Sequence, residues 1–158
     1  MDFPLNTSLW NNVSVWCGVS AWFLAQFIKL FTFLFREKRF DFAFLFRFGG
    51  MPSSHTAACA AAAVSVGLRA GFGSVAFCAM FGLLMTIMID AQGVRHEAGE
   101  QAKLLNRIAD EFYASRKLPR ERLVEFLGHT RWEVFWGLIL GIATALAFHA
   151  AFPAATAP

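Results

Sequence analysis

Four long apolar runs, at 13–35, 52–68, 72–90 and 132–152, constrain this chain more than any other feature. A run of roughly 20 apolar residues matches the hydrocarbon core of a bilayer. In lipid the backbone must satisfy its own hydrogen bonds, so each run is expected to be a helix. The predicted architecture is all-α: a polytopic membrane helix bundle of about four transmembrane helices, with a cytoplasmic amphipathic helical segment at 91–131. All of it is read as one domain over 1–158. Composition agrees, since 57% of residues are hydrophobic and the mean hydropathy is +0.50. A soluble domain is typically about 45–50% apolar.

The formal charge of +3 reads as membrane topology, because the basic residues fall between apolar runs; no nucleic-acid partner is expected. Loops 36–47 and 95–131 hold nearly all the Lys and Arg, and four spans put both on one side. The positive-inside rule makes that side cytoplasmic, in a plasma membrane of bacterial type, with both termini outside. The first run has no basic leader and continues too far for a cleavable signal. Cys17, Cys59 and Cys78 lie inside apolar runs without metal-ligand spacing and read as small core residues. Phe40, Phe42, Phe44, Phe46 and Phe48 alternate within the first basic loop, as an interfacial aromatic wedge or a strand. At 101–112, Leu104, Leu105, Ile108 and Phe112 recur at helical spacing, so an amphipathic helix lies on the membrane or caps the bundle. A second short polar helix is expected at 120–128. The many alanines of 52–68 suit a central helix wrapped by the others.

One short stretch carries the strongest local signal: Gly49-Gly50-Met51-Pro52-Ser53-Ser54-His55-Thr56. The glycines permit a tight turn, Pro52 suits the first turn of a helix, and Ser53 and Ser54 are good N-caps. The free N–H groups of such a helix start suit a phosphate. The same four-span topology gathers Lys29, Asp90, Arg95, His96, His129 and Glu133 at the same membrane level. Ionisable groups at that depth are functional candidates by default. Lys29, Arg95 and the helix start could hold phosphate as charge-assisted donors. One histidine could attack phosphorus while an acid orients its other nitrogen, and a second could protonate the leaving alcohol. No dense carboxylate cluster for magnesium is present, so neither a metal nor another cofactor is required. Plainer readings stand beside these. Lys29 could snorkel to the interface, Asp90–Arg95 could be a structural ion pair, and His129–Glu133 an (i, i+4) surface pair. His96 reads as an exposed interface residue, and His149, on the other side, as inert.

Three segments together carry a resemblance: 49–56; Asp90-Ala-Gln-Gly-Val-Arg95-His-Glu-Ala-Gly99 and on to Asn106; and Leu127-Gly-His129-Thr130 with Glu133-Val134. Over about 26–141 the chain resembles the divergent type-2 phosphatidic acid phosphatase family, also described as acid phosphatase/vanadium-dependent haloperoxidase-related. The resemblance implies a helical fold and a metal-independent phosphatase with a phosphohistidine intermediate. The superfamily's first motif, Lys-x6-Arg-Pro, is matched in spacing by Lys29 and Arg36, with Glu37 in place of proline. Its second, Pro-Ser-Gly-His, is matched by Pro52, Ser53 and His55, with Ser54 in place of glycine. By resemblance Ser53 binds phosphate and His55 is the general acid. In the third, Ser-Arg-x5-His-x3-Asp, His129 and Glu133 correspond to the nucleophile and its orienting acid. Leu123 stands at the arginine position, and Arg95 is expected to take over that contact.

The expected function is therefore hydrolysis of a phosphate monoester or pyrophosphate on a lipid, at the cytoplasmic interface. His129, His55 and Glu133 would act catalytically. Lys29, Arg36, Ser53, Ser54 and Arg95 would hold phosphate, with Asp90 in support. Partners would be the lipid phosphate, membrane lipids and a second copy through the Ala/Gly faces. The alternatives are a non-catalytic headgroup-binding or lipid transport protein on the same fold, and a purely structural four-helix membrane protein.

Overall fold

The computed structural model describes residues 9–37, 50–113, 123 and 129–153. A 3-10 turn at Leu9–Asn11 leads into α1 (Val13–Glu37). Then follow α2 (Ser54–Ala70), α3 (Val75–Gln92), α4 (Val94–Tyr113) and α5 (Arg131–Ala151). The aromatic alternation at 40–48 and, apart from Leu123, the expected helix at 120–128 lie outside the described residues.

The core is built from small side chains. Cys17, Ala21 and Ala25 of α1, Ala57 and Ala61 of α2 and Ala145 of α5 form one cluster and are fully buried. The large side chains point outward: Phe23, Phe27, Phe31 and Phe35 on α1, Phe81 and Ile89 on α3, and Trp132, Trp136 and Leu146 on α5 are all exposed. In water such a surface would aggregate. In a bilayer it is the face that lipid solvates, while small residues let helix backbones approach closely inside. This is a membrane helix bundle, and the protein is integral to the membrane. By length and hydropathy, three described segments can cross a bilayer: Val13–Phe35, the stretch Val75–Glu111 that begins with α3, and Arg131–Ala151. The fourth, α2, has 17 residues and packs against α1, α3 and α5. At about 1.5 Å per residue it is near 25 Å long. It is the wrapped interior helix that its alanines indicate.

The α2–α5 contact is the tightest. A methyl group on Gly137 would lie 2.6 Å from the Ser53 carbonyl oxygen and 3.2 Å from Thr56 Cβ. One on Gly141 would strike the Ala57 carbonyl oxygen and lie 2.7 Å from Ala60 Cβ. The spacing Gly137-x-x-x-Gly141 thus brings backbone onto backbone.

Helix starts follow the capping residues. Ser53, Ser74 and Thr130 cap α2, α3 and α5, each accepting a hydrogen bond from the backbone N–H three residues on. Pro52, expected within the first turn, instead precedes the cap in a cis Met51–Pro52 peptide. The helix begins after Ser53 because the Ser53 hydroxyl oxygen accepts the Thr56 N–H, one of the N–H groups that the first turn leaves unpaired. Arg95 and His96, just past the third apolar run, lie in the first turn of α4. Gly93, at φ −100° and ψ −87°, interrupts the helix for one residue; its N–H donates to Ile89 O at 2.8 Å and its carbonyl accepts the Glu97 N–H at 2.9 Å, so helix resumes at once.

Polar contacts tie both ends of the bundle. At one end the Ser53 N–H donates to Glu133 O at 2.9 Å and the His129 N–H to Ala91 O at 3.0 Å. At the far end Ser14 Oγ lies 3.0 Å from Ser65 Oγ, which lies 3.0 Å from His149 Nε2. His149 is therefore engaged with α2 and is not an isolated interface residue.

Candidate functional site

The first end is where the chemistry-bearing residues meet. Lys29, four residues past the α1 core, is 5% exposed, and its Nζ lies 3.5 Å from Ser54 Oγ. The lysine turns inward and does not snorkel. Its ammonium is also within electrostatic reach of Glu133. Ser54 opens α2 and is buried; Ser53, fully buried, caps it. Thr56 Oγ1 donates to Ser53 Oγ at 3.0 Å, which fixes the serine hydroxyl's direction. His55 stands between these buried neighbours and is itself exposed. Lys29, Arg95 and His129 all lie within its electrostatic reach.

His129 immediately precedes the cap of α5. Its Nδ1 lies 3.3 Å from Glu133 Oε2, and the two side chains are only 10% and 18% exposed. They do not form a loose surface pair. The same carboxylate oxygen accepts the Thr130 N–H at 2.7 Å, while Thr130 Oγ1 accepts the Glu133 N–H at 3.3 Å. This is a capping box. A carboxylate held by the Thr130 N–H on a residue whose own N–H is capped is a firm orienting group. With Nδ1–H donating to it, Nε2 carries the lone pair.

Asp90 and Arg95 form an ion pair, Oδ2 to Nε at 2.6 Å, half-exposed. Arg36 lies in the last turn of α1, and its side chain falls outside the described residues. His96 is exposed. Among the described residues, no group of three or more His, Cys, Asp or Glu side chains could hold a metal ion.

Lys29, Ser53, Ser54, His55, His129 and Glu133 thus share one end of the bundle, with Asp90 and Arg95 beside them. Three supports were not anticipated. The capping role of Thr130 is legible as Thr-x-x-Glu, and the α5 glycines as Gly-x-x-x-Gly. The Thr56–Ser53 contact carries no signal beyond its (i, i+3) spacing.

A model of the divergent PAP2 family matches residues 10–144. The chain is also 34% identical, over 156 residues, to the uncharacterized membrane protein YuiD of Bacillus subtilis (strain 168), covering 92% of each chain. No solved structure matches. With the family's model spanning most of the chain and its motifs gathered at one end of the bundle, this protein belongs to the divergent PAP2 family.

Proposed function

We propose that this protein is a lipid-phosphate phosphatase whose site faces the cytoplasm, working through a phosphohistidine. The observation that carries this reading is the His129–Glu133 pair, with Nδ1 against the carboxylate at 3.3 Å. Nε2 of His129 attacks phosphorus, forming the P–N bond as the bond to the lipid oxygen breaks. Protonated His55, exposed at the α2 start, gives its proton to that oxygen. Water then attacks the phosphohistidine, with neutral His55 taking its proton, and free phosphate leaves. The substrate's negative oxygens would be held by Lys29, by Ser53 and Ser54 at the α2 N-terminus, and by Arg95. Arg36 is assigned to the same role from its spacing to Lys29. The apolar bundle keeps the lipid tails in the membrane. A second copy would pack through the remaining small-residue faces.

Phosphate release from a panel of lipid phosphates in detergent tests this, with EDTA, with vanadate and in His129→Ala. EDTA-resistant, vanadate-sensitive release that vanishes in His129→Ala is expected. Unchanged release in both His129→Ala and His55→Ala would overturn the assignment. A second reading, headgroup binding without turnover, is favoured by the Asp90–Arg95 pair, which occupies Nε of the expected substitute arginine. Vanadate or phosphate binding with no release from any lipid would select it.

A further inference from the structure

Among the described residues, six polar or charged side chains are buried. Lys29, Ser53, Ser54 and Thr56 meet at the candidate site, and Ser65 belongs to the far-end network. Asn106 is the sixth, and neither cluster accounts for it. It lies on α4 in line with Gly99 and Ala102, both buried, at i−7 and i−4. Leu104, Leu105 and Ile108 of the same helix are exposed, so α4 turns its small and polar stripe inward. Both polar atoms of the Asn106 amide meet one residue. Nδ2 donates to Leu123 O at 3.0 Å, and Oδ1 accepts the Leu123 N–H at 3.1 Å. A carboxamide carries the donor and the acceptor of a peptide unit side by side, so it can pair with both backbone groups of one residue. The Leu123 side chain is 50% exposed, so it is the backbone at this position that α4 grips.

The place of Leu123 in the chain gives this contact its use. After α4 ends at Tyr113, the chain has to return to the bundle and present His129 just ahead of α5. Two backbone anchors lie on that return. One is Leu123 on Asn106 of α4. The other is the His129 N–H on Ala91 O, in the last turn of α3, at 3.0 Å. The first anchor leaves 6 residues to His129, where the run from Tyr113 would be 16. Closure probability falls as about the 3/2 power of length, so the shorter run favours a correctly placed His129 by roughly 4-fold. Two hydrogen bonds of ordinary net strength, acting on placement alone, set an upper figure of roughly 30-fold. We infer that Asn106 is a positioning residue: through the Leu123 backbone it holds the segment that delivers His129 to Glu133 and to the phosphate site. This rests on the reading of His129 as the nucleophile. Asn106 acts through Leu123 and is not itself catalytic.

Asn106→Leu keeps the size of the side chain and removes the clamp. It is expected to lower kcat for a lipid phosphate by roughly 4- to 30-fold while KM stays within about twofold. A second readout needs no turnover: nitrogen NMR of 15N-histidine-labelled protein in detergent, at a pH where the imidazoles are neutral. The His129 signals are identified by their loss in His129→Gln. In wild type they should report a proton on Nδ1, facing Glu133; in Asn106→Leu they should move toward the Nε2–H form. The backbone side of the clamp is tested at Leu123. Leu123→Ala should match wild type, because the side chain is not used. Leu123→Pro, which removes the N–H, should behave as Asn106→Leu, and the double variant should be no worse than either. If Asn106→Leu does not fold, the Leu123 pair decides. Wild-type kcat and unmoved His129 signals in Asn106→Leu would overturn the inference, whether or not Tm falls, since a purely structural clamp predicts that result. A higher KM at constant kcat would place the effect on phosphate binding and overturn it too. Where wild type releases no phosphate from any lipid, the hydrolase reading falls and the spectra decide alone: moved signals keep Asn106 as the residue that places His129, and unmoved signals remove it. Release that vanishes in His129→Ala but is indifferent to Asn106→Leu keeps the hydrolase and removes the inference.

Discussion

Glu133 performs two tasks with one oxygen: it closes the α5 cap through Thr130 and faces His129 Nδ1. The tasks separate by substitution. Glu133→Gln keeps an acceptor for the Thr130 N–H but loses the charge opposite an imidazolium. Turnover should fall by roughly 10²–10⁴, the range of a lost acid–base contribution, with Tm nearly unchanged. Glu133→Ala should lose the same turnover and, with the carboxylate's half of the capping box gone, about 1 kcal/mol of stability. Equal turnover in wild type and Glu133→Gln would leave the carboxylate with capping alone. Lys29 gives the complementary case. Breaking a charge-assisted contact typically costs about 1.5–3 kcal/mol, so Lys29→Met should weaken vanadate binding roughly 10- to 150-fold. Its thermal stability should hold or rise, since a buried ammonium is replaced by a side chain of similar length. At this scale the sequence was legible where chemistry is local: Ser53 as a cap, and His129 four residues before Glu133. The inward turn of Lys29 was not, because snorkelling and burial differ only in what a second helix places opposite.

Elements were legible in kind and less so in their joints. The apolar runs mark α1, α3 and α5, the alanines mark α2, and the 101–112 spacing marks α4. The α3–α4 joint at Gly93 carried little sequence signal, because Gly93 interrupts the helix for a single residue and no run of turn-forming residues announces it. Contacts between helices depend on which glycines meet a neighbour, and here the structure separates them sharply. Gly137 and Gly141 leave no room for a methyl group, whereas Gly82 on α3 meets nothing within 4 Å. Gly141→Leu should therefore push α5 from α2, lower stability by about 1–3 kcal/mol or more, and loosen the Ser53–Glu133 link. Gly82→Ala should be neutral or stabilise by up to about 1 kcal/mol through helix propensity. Thermal unfolding in detergent compares the two. Similar losses at both positions would show that the α2–α5 approach is not special.

At the scale of the whole molecule, membrane placement was legible because lipid inverts the usual sorting of large and small side chains. The gathering of distant residues was legible only through topology. The site closes because α1 and α3 end where α2 and α5 begin, which requires α2 to cross despite its 17 residues. Its neighbours make this feasible: α2 is sheathed by α1, α3 and α5, so its ends need not reach the headgroups themselves. At the site's end α4 carries Arg95, Lys103 and Arg107; at the far end α2 carries Arg69. By the positive-inside rule this distribution supports the proposed placement of the site's end in the cytoplasm. Two exposed positions test both the crossing and its direction in a cysteine-free background: His96 on α4 and Gly73, with open space, between α2 and α3. In intact cells a membrane-impermeant maleimide should label Gly73→Cys and reach His96→Cys only after permeabilisation. The opposite pattern would invert the protein and place the phosphate chemistry outside the cell. Labelling of both from one side would mean that α2 and α3 do not separate these positions across the bilayer, and the shared site would lose its topological basis.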